Sequence, residues 1–126
     1  MNFQDILTQL EFEEHTEDML FEMANLRPSE SGLPVTIYIS TGFVEGKQLN
    51  HGPRIKVSNS YSTKFNIRDI FVMTIADDPK VIGSSNLKES DVTLIKNFVI
   101  KNKEVLEAYW DDDISTMDML HALQKG

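Results

Sequence analysis

The apolar residues of this chain change period twice, and that change limits the architecture more than any single motif does. From Leu33 onward, Val35, Ile37 and Ile39 alternate with Thr36, Tyr38 and Ser40, the period of two that turns one face of a strand toward a core. On both sides of this region the spacing is helical. Phe3, Ile6, Leu7 and Leu10, then Met19, Leu20, Met23 and Leu26, recur at three- and four-residue intervals, which predicts an N-terminal helix or helix pair. Thr16, with Glu17 and Asp18 after it, suits a cap between the two. Pro28 and the run Ser29-Glu30-Ser31-Gly32 are expected to end the helical part.

Turn chemistry divides the strand region. Glu45-Gly46 follows Phe43-Val44, and Asn50-His51-Gly52-Pro53 precedes the alternating Arg54-Ile55-Lys56-Val57-Ser58. Ile67 to Ala76 is nearly continuous in apolar character toward its end and suits a central strand, and Val81-Ile82 after Asp77-Asp78-Pro79 suits a short one. The connections are too short for helical crossovers, so an antiparallel meander of three to five strands is expected.

Helical spacing returns at Ser90, an expected N-cap with Asp91 in the first turn. Val92, Ile95, Phe98, Val99, Asn102, Val105, Leu106 and Tyr109 form one wide stripe that ends at Trp110. Asp111-Asp112-Asp113 interrupts it, in a position expected to be the start of a helix, where a carboxylate is favoured. Ser115, with Asp118 three residues on, opens a shorter helix carrying Met119, Leu120 and Leu123. The expected fold class is therefore α+β, with the long and short C-terminal helices packed on one face of the sheet. At 126 residues the chain suits one domain, made of an acidic helical segment (1–27), a mildly basic β-region (33–83) and the C-terminal helices (90–124).

The formal charge of −8 is unevenly placed. Residues 1–30 hold 8 acidic and 1 basic side chain, residues 31–86 hold 4 and 6, and residues 87–126 hold 8 and 5. Two acidic ends thus flank a centre of positive charge. The absence of cysteine removes thiol catalysis, thiolate zinc sites and disulfides. No apolar run approaches the roughly 18 residues of a membrane span, and acidic residues interrupt any secretory pattern near the start. A soluble, cytoplasmic chain without a membrane role is the expectation.

Leu49-Asn50-His51-Gly52-Pro53-Arg54-Ile55-Lys56-Val57 and Phe98-Val99-Ile100-Lys101-Asn102-Lys103-Glu104-Val105-Leu106-Glu107-Ala108-Tyr109-Trp110, with Ile114-Ser115-Thr116 after it, resemble a group of small bacterial and phage proteins. In that group a basic strand precedes a helix ending in an aromatic pair. The resemblance spans about the last 90 residues. It implies a compact prokaryotic or phage domain and brings no catalytic residues with it.

Four residues form a candidate anion site: Lys47, His51, Arg54 and Lys56. On a strand Arg54, Lys56 and Ser58 share a face, Gly52 permits close backbone approach, and arginine supplies a two-pronged fork for phosphate or carboxylate. The competing reading is a solvated strand face whose charges oppose edge association. With Lys64 as a fourth contact beside Lys47, Arg54 and Lys56, nucleic-acid binding would follow salt with a log–log slope of about −3.6, which is weak. The acidic ends make general nucleic-acid affinity unfavourable. Glu11, His15 and Asp18 share a helix face but lack the spacing of known di-iron and zinc motifs, and Asp77-Asp78 and Asp111-Asp112-Asp113 suit turns better than acid–base pairs. Neither a metal, a cofactor nor a catalytic residue is implied. Two functional readings follow. One is a regulator, antitoxin-like or immunity-like protein, or phage inhibitor, that meets a protein partner through Glu13, Glu14, Glu17 and Asp18, with Tyr109 and Trp110 as an aromatic hot spot. The other is a nucleic-acid or phosphate-ligand module, with hydrolysis as an added option, built on His51, Arg54 and Lys56.

Overall fold

Strand pairing follows the alternation of the sequence. The structure, a computed structural model, describes residues 24–44, 46–61 and 68–126. Its elements in chain order are β1 (Ala24–Leu26), α1 (Pro28–Ser31), β2 (Ile37–Ile39), β3 (Phe43–Val44), β4 (Lys47–Gln48), β5 (Arg54–Ser58), β6 (Ile70–Thr74), β7 (Val81–Ile82), α2 (Glu89–Lys101), α3 (Lys103–Trp110) and α4 (Thr116–Ala122). The order β1-β2-β5-β6-β7 makes one antiparallel sheet, while β3 and β4 form a separate hairpin inserted between β2 and β5. The expected α+β class and antiparallel meander are thus present.

Register decides which side chains enter the core. Ile37 lies opposite Val57, Val57 opposite Phe71, and Ile55 opposite Met73. These five, with Ile39, form one apolar face of the sheet. Ile95, Phe98 and Val99 of α2, Leu106 and Tyr109 of α3 and Met119 of α4 join the same core. The helical stripe and the strand alternation therefore bury each other, which is the main favourable term in such a fold.

Several local expectations need correction. Leu26, read as the end of a helix, sits in β1 opposite Ile37, and Ala24 and Leu26 alternate inward past an exposed Asn25. Pairing with β2 overrides a spacing that also fits a helix. The rest of the expected N-terminal helices, residues 1–23, lies outside the described residues. Pro28 does not end a helix but opens α1, at a position where its missing N–H costs nothing. Glu30 Oε1 accepts from the Arg27 N–H at 2.9 Å, and Gly32, at φ 77°, stops the turn.

At the other end, α2 begins at Glu89 with Lys88 as its flanking residue, so Ser90 is inside the first turn rather than capping it. The Tyr61 hydroxyl takes over part of that work, accepting from the Lys88 N–H and donating to Asp91. The stripe from Val92 to Trp110 is split at Asn102, whose φ and ψ of −106° and 14° depart from helical values. Asp111 flanks the C-terminal end of α3, so the aspartate triplet lies at the unfavourable end of a helix dipole and not at a helix start. Ser115 does cap α4, accepting from the Asp118 N–H at 3.1 Å.

Candidate functional site

Strand β5 sets the geometry of the basic cluster. Its pleat sends Ile55 and Val57 into the core and leaves Arg54 and Lys56 half-buried on the opposite face. Ser58, on that same face, is buried and donates to the Ser60 carbonyl at 3.1 Å. Lys56 stands in a cross-strand row with Tyr38 on one side and Val72 on the other, and Val72 in turn faces Ile82. This is a largely apolar row for an ammonium group. Burial, and then the positive charge of Arg54, hold the Lys56 ammonium below the ordinary lysine value of 10.5.

No carboxylate offsets these two charges among the described residues. The ion pairs found there are Lys80 with Asp78 and Lys103 with Asp77 and Glu107. Arg54 instead uses its Nε to donate to the Gly52 carbonyl at 3.3 Å. His51 reaches the same carbonyl, with Nδ1 at 3.4 Å. The loop therefore folds His51 and Arg54 toward one oxygen. A Cβ added to Gly52 would meet no atom within 4 Å, so the space beside this backbone is open.

The structure brings together three of the four expected anion-site residues: His51 and Arg54 at the Gly52 carbonyl, and Arg54 with Lys56 along the strand. Lys47 stands exposed on β4 and shares no hydrogen bond or ion pair with the other three among the described residues. His51 also packs on Trp110, with ring centroids 5.6 Å apart and planes at 45°. That contact joins two residues the sequence had suggested for separate surfaces. His51 thus contacts a carbonyl and an indole, and among the described residues no hydroxyl or carboxylate is hydrogen-bonded to its ring.

The proposed aromatic hot spot needs correction. Tyr109 and Trp110 are 2% and 3% exposed, so both belong to the packed interior. The Tyr109 hydroxyl lies 2.9 Å from Thr116 Oγ1. Glu13, Glu14, Glu17 and Asp18, the acidic half of that surface, lie outside the described residues, as do Lys64 and the Glu11, His15 and Asp18 face. Among the described residues no three His, Cys, Asp or Glu side chains are grouped so as to hold a metal, and no helix is long and apolar enough to cross a membrane. Sequence reasoning missed Tyr38 as a neighbour of Lys56. Its place in the alternation was readable, whereas its pairing with Lys56 required the register of β2 on β5.

Comparison of the chain with protein-family models, with curated proteins and with solved structures finds no match in any of the three.

Proposed function

We propose that this protein binds a phosphate-bearing ligand on the outer face of its sheet, through Arg54 and Lys56 with His51 at the edge. The observation that carries the reading is two neighbouring half-buried cations with no carboxylate partner among the described residues. Burying an ammonium beside a guanidinium is costly unless an anion is also present. A bound phosphate would supply that charge, with the guanidinium giving directional hydrogen bonds and the lysine acting as a point charge. The open backbone at Gly52 leaves room for it.

A small phosphorylated ligand fits better than a nucleic acid. Two phosphate contacts would give a salt slope no steeper than about −2, too little for firm binding to a polyanion at physiological salt. The protein-partner reading attaches to Glu13, Glu14, Glu17 and Asp18, and no observation within the described residues favours it.

The test is a titration of the chain with inorganic phosphate, pyrophosphate and a short oligonucleotide, followed by amide shifts at Gly52, Arg54 and Lys56. It is best run near 10 mM salt, where screening extends to about 30 Å. Pyrophosphate is expected to produce saturable shifts that Arg54→Met with Lys56→Met abolishes. No response to any of the three ligands overturns the proposal. An oligonucleotide that binds far more tightly than pyrophosphate, with a steeper salt slope, replaces it with nucleic-acid binding.

A further inference from the structure

A concavity of about 540 Å³ opens between the β3–β4 hairpin and the connection from α3 to α4. None of Lys47, His51, Arg54 or Lys56 lines it. Its size is within the range of sites that enclose small organic molecules. Phe43, Tyr109 and Ile114 give it apolar walls, and Thr41, Asp112 and Thr116 bring polar groups to the same space.

The cavity is held open by a fixed anchor. Gly42 donates its N–H to the Trp110 carbonyl at 2.7 Å and accepts from the Leu49 N–H at 2.6 Å, which pins both feet of the hairpin to the end of α3. A Cβ on Gly42 would fall within 2.3 Å of Trp110 Nε1, so glycine is what lets the hairpin sit this close to the indole. On the opposite side, the Tyr109 hydroxyl and Thr116 Oγ1 lie 2.9 Å apart and tie α3 to the first turn of α4. Both walls are therefore attached to the same buried helix end. A preformed cavity of this kind avoids much of the ordering cost of binding.

Its polar groups are not equivalent. Thr41 donates to the Phe43 carbonyl and Ser115 caps α4, so these hydroxyls already have protein partners. Asp112 differs: no hydrogen bond or ion pair of its carboxylate is found among the described residues, and it is the one carboxylate among the described residues of the lining. Asp112 also adopts φ 61°, a left-handed conformation that aspartate and asparagine tolerate better than other side chains. A carboxylate at the rim of a space lined by the partly exposed Phe43 and Ile114 suits a compact organic cation, whose charge meets the carboxylate while its body lies against these two side chains.

We infer that this cavity is a binding site for a small organic ammonium ion. It is independent of the phosphate-binding face and does not rest on it. Three probes of nearly equal shape separate charge from shape: benzylammonium, benzyl alcohol and benzoate, followed by methyl shifts of Ile114 and Thr116. Benzylammonium is expected to bind saturably and more tightly than the other two. Asp112→Asn, which keeps the left-handed turn accessible, is expected to weaken it about threefold to fivefold, the range of an accessible ion pair, without altering the shifts of the free protein elsewhere. Absence of a saturable shift overturns the inference. So does equal binding of the alcohol or benzoate, and so does an Asp112→Asn variant that binds benzylammonium as well as the parent chain.

Discussion

The side chain of Asn102 pairs with the backbone of Gln124 in both directions. Its Oδ1 accepts from the Gln124 N–H at 2.7 Å, and its Nδ2 donates to the Gln124 carbonyl at 2.9 Å. The second Nδ2 proton goes to the Phe98 carbonyl, also at 2.9 Å. Asn102 is 2% exposed, so this amide is a buried polar group whose donors are both used and whose oxygen is engaged. The C-terminal tail is thereby fastened along α2, and it continues to α1 through the Gly126 N–H on the Ser31 carbonyl at 2.9 Å.

Asn102→Ala is expected to destabilise the protein by about 2–4 kcal/mol, because three hydrogen bonds go and the Gln124 backbone loses both partners. Asn102→Leu, although it completes the apolar stripe, is expected to be no better, since leucine leaves the same groups unpaired. Chemical denaturation measures the loss, and faster hydrogen exchange at the Gln124 amide locates it. Slow exchange retained at Gln124 in either variant would show that the tail is held elsewhere.

Asn102 also shows what could be read from the chain alone. A lone asparagine inside an apolar stripe was visible in the sequence, and the stripe, the strand alternation and the cap at Ser115 all sit where their periods place them. What Asn102 grips, and that it breaks the helix, depends on a tail 22 residues away. The same limit applies to Leu26, where strand and helix spacing agree locally and only pairing with β2 decides. In the candidate site, the shared face of Arg54 and Lys56 follows from alternation. The apolar row around Lys56 and the contact of His51 with Trp110 do not, because they depend on register and on packing between distant segments.

Gly42→Ala should be among the more damaging single-atom additions in this chain. The new methyl would overlap Trp110, which is buried and anchored by the hydrogen bond from Gly42 to its carbonyl. Overpacking of this kind costs about 1–3 kcal/mol, and displacement of the hairpin adds to it. Trp110 is the sole tryptophan, so its fluorescence reports the site directly. A lowered melting temperature with red-shifted emission is the expected result; an unshifted spectrum at parental stability would mean that the hairpin moves away without consequence. Gly52→Ala, in open space, serves as the contrast and is expected to leave the emission unchanged.

Tyr61→Phe tests whether the phenol replaces an N-cap side chain. The hydroxyl accepts from the Lys88 N–H at 3.2 Å and donates to Asp91 in the first turn of α2. Its bond to Asp91 raises the Tyr61 pKa, so this tether is present below the ordinary tyrosine value of 10.0 and is lost as pH rises through the higher folded value. At neutral pH the phenylalanine variant is expected to exchange the Lys88 amide faster, while amides in the middle of α2 keep their protection. Unchanged exchange at Lys88 would show that water substitutes for the phenol without loss.

Lys56 gives a pH dependence of opposite sign. Its ammonium is held below the ordinary value of 10.5 by burial and by Arg54, so between the folded and unfolded values the unfolded chain binds the extra proton. Stability then rises with pH across that window. Tyr38, whose pKa burial raises above the ordinary 10.0, contributes the reverse trend once the unfolded tyrosine begins to ionise, so the lysine effect is clearest below that value. Denaturation profiles approaching pH 10.0 from below are expected to slope upward in the parent chain and to lose that slope in Lys56→Met. Saturating pyrophosphate should flatten the parent profile too, because a bound anion restores the charged lysine, and pyrophosphate affinity should fall across the same window. A parent profile that is already flat, or one that pyrophosphate leaves unchanged, would separate Lys56 from any anion bound on this face.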